Sequence, residues 1–180
     1  MILGHVATAL VARRAAPKMP WWLLIASATL IDVIMFALVG LGIETMERAP
    51  GAVGPTLSSQ IVEMTYSHDL VPQLFWAFLL GGAVLLFTRN YGFSLIAAGL
   101  CVFHWLCDLV AGYEHFVFGP ETAALGTDWY RTNLPAALTV EALLGVACVF
   151  LFTYKRQAAP RVTVPLYGLF GLLPFAFLVI

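Results

Sequence analysis

Four stretches of this chain are apolar for long enough to cross a hydrocarbon layer, and that restricts the folds open to it more than any motif does. About 20 helical residues span the roughly 30 Å core of a bilayer. Residues 21–41, 72–87, 91–118 and 134–154 meet or approach that length, and a shorter run at 164–180 gives a fifth. With 61% hydrophobic residues, 11% charged and a mean hydropathy of +0.91, the chain is not a water-soluble domain. The expected fold class is all-α: a polytopic membrane helical bundle of about five transmembrane helices, one integral membrane domain over 1–180, with the lipid bilayer as its partner.

Residues 2–12 are apolar and helix-prone but too short to cross, which predicts a re-entrant or an interfacial helix ending at Arg13. Arg13, Arg14 and Lys18 follow this stretch instead of preceding it, so it lacks the layout of a cleavable signal and Met1 is expected to be kept. With five spans, Arg13, Arg14, Lys18, Arg89, Lys155, Arg156 and Arg161 all fall on one side, leaving Arg48 and Arg131 for the other. By the positive-inside rule the first side is cytoplasmic. Glu44, Glu47, Glu63, Asp69, Glu114, Glu121 and Asp128 sort to the opposite side, where the connections 42–71 and 119–133 are long. The segment 49–55, rich in Pro and Gly, argues against a continuous helix there. A net charge of −1 without a long basic run gives no case for nucleic acid. Cys101, Cys107 and Cys148 lack zinc-knuckle spacing and read as small hydrophobes.

Against this background Asp32, His104, Asp108 and Glu141 stand out, because a lone Asp in hydrocarbon costs about 2.5–3.5 kcal/mol. Counting about 1.5 Å per residue puts Asp32 and His104 near mid-span, with Asp108 one turn further out. Glu141 and His68 belong to the same outer half. His104 and Asp108 are four apart and share a helix face, so they can ligate one metal or form a His–Asp hydrogen bond between helices. His5 joins them only if its helix folds back; an interfacial helix would leave it among headgroups. Glu141 can orient a ligand imidazole, act as a general base, or sit protonated against a neighbouring helix. Glu114 and His115 read as a wet interfacial pair.

In order along the chain stand Gly4-His5, Ile31-Asp32, Tyr66-Ser67-His68, His104-Trp105-Leu106-Cys107-Asp108, and Gly126-Thr127-Asp128-Trp129 leading to Glu141. This order resembles the bacterial membrane-bound metal-dependent hydrolase family, which includes LexA-regulated inner-membrane hydrolases, and is distantly similar to the zinc-dependent phospholipase C motif pattern. The resemblance implies His5, Asp32, His68, His104 and Asp108 as ligands of a divalent metal, zinc first and iron or manganese next, with Glu141 or Asp69 handling protons. It implies hydrolysis of an ester or phosphoester of a lipid or other amphipathic substrate, at a bacterial inner membrane; the charge topology and the depth of the polar residues put the site open to the periplasmic side. Relatives carry Pro-Asp, Ser-His-Ser and Ser-His-Trp where this chain has Ile31-Asp32, Ser67-His68-Asp69 and Phe103-His104-Trp105. Many also carry another His at the place of Gly112. The other readings are a non-catalytic subunit packed with a membrane-protein partner or a second copy of itself, a haem-binding protein with histidine axial ligands, and a proton relay through Asp32, Asp108 and Glu141.

Overall fold

A computed structural model describes residues 1–50, 57–155 and 160–178. The chain is an all-α membrane helical bundle: helices α1 (Ile2–Ala15), α2 (Trp21–Gly40), α3 (Leu70–Thr88), α4 (Tyr91–Ala111), α5 (Trp129–Thr132), α6 (Leu134–Thr153) and α7 (Pro160–Tyr167). The last continues through a π turn (Gly168–Leu172) and a 3₁₀ segment (Leu173–Leu178). Five helical stretches are long and apolar enough to cross a membrane, at Trp21–Gly40, Leu70–Thr88, Tyr91–Ala111, Leu134–Thr153 and Pro160–Leu178. These match the expected spans, except that the third stops at Ala111 instead of 118 and the fifth starts at Pro160 instead of 164. The turn-rich 51–56 and the basic Arg156 lie outside the described residues.

Helix ends follow local chemistry. Asn90 and Asn133 cap α4 and α6 by accepting from the amides of Phe93 and Ala136, and Arg89 at φ 54° turns the chain tightly from α3 into α4. The two helices then pack side by side, with Gln73 donating to the Cys101 carbonyl and Ser94 to that of Gly81.

α1 is the element that shapes the interior. It lies against α6, α2 and α4, its small residues Ala7 and Ala9 fully buried, and His5 stacks on His104 near the middle of α4. The helix is therefore folded back into the bundle, and the interfacial alternative does not hold. It also runs to Ala15, two residues past Arg13.

Two short hairpins close one end of the bundle, and neither shows as strand periodicity in the sequence. β1 (Thr45–Arg48) pairs antiparallel with β2 (Gln60–Glu63), and β3 (His115–Phe116) with β4 (Ala124–Leu125), with His115 opposite Leu125.

Candidate metal centre

The polar groups meet at the hairpin end of the bundle. α2 supplies Asp32, α4 supplies His104 and Asp108, α1 supplies His5, and the turn entering α3 supplies His68. Two overlapping sets, His5–Asp32–His104 and His68–His104–Asp108, each hold their ligand-type atoms within 4.8 Å of one another. All five residues singled out in the sequence thus come together, contributed by four helix or turn segments far apart in the chain.

Four atoms form the centre of the cluster. His68 Nε2 lies 3.6 Å from Asp32 Oδ1 and 3.9 Å from Asp108 Oδ2. His104 Nε2 lies 3.6 Å from Asp32 Oδ1 and 3.2 Å from Asp108 Oδ2. Ligands held about 2.0–2.1 Å from a tetrahedral ion sit about 3.4 Å apart, so these separations suit a ligand cage better than a set of direct hydrogen bonds.

The protons on the two imidazoles follow from their other contacts. His104 Nδ1 is 2.8 Å from the Ala28 carbonyl, one turn before Asp32, and a carbonyl only accepts. Nδ1 therefore carries the hydrogen, and Nε2, buried with no hydrogen-bond partner, turns a lone pair toward two carboxylates. For His68 the same is done by a relay. The Glu44 carboxylate accepts the amides of Tyr66 and Ser67 and the Ser67 hydroxyl. Having donated its one proton, Ser67 Oγ must accept from His68 Nδ1 at 2.8 Å, which leaves Nε2 bare. With both rings in this tautomer, unprotonated nitrogens face carboxylate oxygens, an arrangement that a shared cation or a proton on each imidazole would satisfy.

His5 stands beside this cage. Its Nε2 is 3.1 Å from Asp108 Oδ1, the carboxylate oxygen turned away from His68 and His104, and its ring lies flat on His104 with centroids 3.5 Å apart. Burial pushes the His5 imidazole down to about 3 against the pull of Asp108, so the ring is neutral near pH 7 and donates from Nε2. The amino group of Met1 also contacts Asp108 Oδ1.

Glu141 and Asp69 occupy different ground. Glu141 is buried and accepts the amides of Leu3 and Gly4 with one oxygen and the Tyr130 hydroxyl with the other. It caps the N-terminus of α1, where free amides and the helix dipole favour a carboxylate. Asp69 accepts the amides of Phe116 and Gly119 and so pins the loop after α4 to the start of α3. Both carboxylates are occupied in holding backbone.

Two further residues belong to the site. Glu44, counted in sequence only among the loop acids, is 3% exposed and holds Ser67. His115 is 1% exposed instead of wet, because β3–β4 folds over the bundle end and lays its ring parallel to His68, centroids 5.8 Å apart. Burial pushes its imidazole down to about 3, so it too is neutral. At Gly112 a Cβ would stand 2.5 Å from the Asp108 carbonyl oxygen, so this backbone admits no side chain there.

Asp32, His68, Asp108 and His115 line a cavity of about 290 Å³ whose remaining wall is largely apolar, including Met35, Met46 and Met64. Asp32 is the open member of the cluster, its side chain 31% exposed, and Phe36 reaches from the cavity to the outer face of α2, where it is 60% exposed.

The fold and the buried polar centre define a multi-pass α-helical membrane protein with a histidine–carboxylate cluster inside it. No family model, curated protein or solved structure matches the chain.

Proposed function

We propose that the cluster is a metal centre and that the protein is a membrane-embedded metal-dependent hydrolase acting on an ester or phosphoester of a lipid or other amphipathic substrate. The observation that carries this reading is that His68 Nε2 and His104 Nε2 each lie 3.2–3.9 Å from oxygens of both Asp32 and Asp108. A single proton would serve one N–O pair; a divalent ion serves all four. Two imidazoles and two carboxylates suit zinc, with iron or manganese next.

A bound ion would lower the pKa of a water and polarise a carbonyl or phosphoryl oxygen. The side chains divide the remaining work. Ala28 and the Glu44–Ser67 relay hold the ring tautomers, His5 fixes Asp108 from behind, and Asp32 stands at the open side toward the cavity. Glu141 and Asp69 keep α1 and the loop after α4 in place and are positioning residues. The motif order supports the same reading through the resemblance to the bacterial membrane-bound metal-dependent hydrolases. With Arg13, Arg14 and Lys18 cytoplasmic, the cavity opens to the periplasm of a bacterial inner membrane.

The test is hydrolysis of p-nitrophenyl octanoate and of bis(p-nitrophenyl) phosphate by purified protein, before and after chelation and after return of zinc. Cleavage of one probe that chelation abolishes and zinc restores is the expected result. Absence of cleavage from a chain carrying stoichiometric metal would favour the non-catalytic subunit reading.

A further inference from the structure

His115 is the one cavity-lining side chain, among the described residues, whose polar atoms are left without a partner: both ring nitrogens are buried and unpaired. Buried polar atoms are nearly always satisfied, and a pair left open on one ring calls for a guest. The ring is not there by accident of a loose loop. The β3–β4 pairing sets its register, Asp69 holds the next residue's amide, and His68 backs its face.

The charge around the cavity limits what that guest is. Asp32 and Asp108 line it and no Lys or Arg does, among the described residues. Arg131, on the same side of the bundle, is paired with Asp128 at 2.7 Å. The one other cation that lines the cavity among the described residues, the Met1 amino group, is already taken up by Asp108 Oδ1, and phosphate sites are built from Arg or Lys forks. What remains is one imidazole able to donate and accept, facing an apolar wall of Met35, Met46, Leu57 and Met64. Methionines adapt to an unbranched chain.

Resting on the hydrolase reading, we infer that His115 is a substrate-binding residue, and that the pocket it completes takes an uncharged acyl group, an alkyl ester or amide, in preference to a phosphoester. His115 grips the polar head beside the cluster while the alkyl chain lies along the methionine wall.

Binding of octanamide and of octyl phosphate to the chain in lipid nanodiscs tests this, with metal content measured on the same samples. Wild type should bind octanamide at least tenfold more tightly than octyl phosphate. His115→Phe keeps a flat ring against His68 and removes both nitrogens; it should weaken octanamide at least tenfold with metal content unchanged, and His115→Asn should recover part of the loss. Equal or tighter binding of octyl phosphate overturns the inference, as does unaltered octanamide binding by both variants or loss of the metal with the histidine. Metal-free wild type that still binds octanamide through His115 would sink the hydrolase reading and leave the pocket standing.

Discussion

Asp108 shows why ionisable groups survive inside this bundle. The Met1 amino group and His5 Nε2 hold its Oδ1, and the ion proposed between Oδ2, His68 and His104 would meet the other oxygen, so the cost of burying the carboxylate is offset on both sides. The same logic makes the supporting residues testable one at a time. Ser67→Ala removes the acceptor that fixes the His68 tautomer, and metal affinity should fall about 10–100-fold with folding intact, as read by competition with a chelating dye. Glu141→Ala strands two backbone amides and the Tyr130 hydroxyl, at about 1–3 kcal/mol each, so the melting temperature in detergent should drop clearly. Glu141→Gln, still an acceptor, should melt close to wild type and keep its metal; a Gln variant that melts normally but loses all hydrolysis would assign Glu141 to the chemistry after all. The five cluster residues are legible in the sequence because each is an energetic oddity or a short motif. Glu44 and His115 are not, since a lone acid and a His beside Glu114 look alike in a wet loop and in a buried one. What buries them is the hairpins, whose four- and two-residue strands are too short to leave a period-2 pattern.

Among the elements, α1 decides whether a site exists. It is 14 residues long, too short to cross, and every reading of its spacing leaves it free to lie flat. Its inward course depends on partners distant in sequence: the Glu141 cap at its start, Asp108 at His5, and close packing of Ala7 and Ala9. The spanning helices were legible because apolar length is a local property; the third was overestimated because Tyr113, Phe116, Val117 and Phe118 extend the apolar run around Glu114 and His115 while the chain turns at Gly112 into the β3 hairpin. On the other side of the bundle, Gly145 of α6 supports the broken α7, since a Cβ there would stand 2.5 Å from the Phe170 carbonyl oxygen. Gly145→Ala must push the π turn outward and should cost about 1–3 kcal/mol by thermal unfolding, without change in metal content. Loss of metal in that variant would mean that α7 communicates with the cluster.

At the scale of the molecule, charge and cluster lie at opposite ends. Arg13, Arg14, Lys18, Arg89 and Lys155 flank helix ends away from the cluster, while the loop acids, Arg48, Arg131 and both hairpins lie at the other end. In whole cells a cysteine at Glu63 should react with a membrane-impermeant maleimide and one at Lys18 should not, the native cysteines being buried; the reverse pattern would invert the proposed orientation. The central claim is that Asp32, His68, His104 and Asp108 hold one divalent ion. Elemental analysis of the purified chain beside His104→Ala and Asp108→Ala measures it most directly. The account predicts close to one zinc, iron or manganese per wild-type chain and its loss from both variants while they remain monodisperse. A well-folded wild type without metal, or stoichiometric metal retained in both variants, would contradict it.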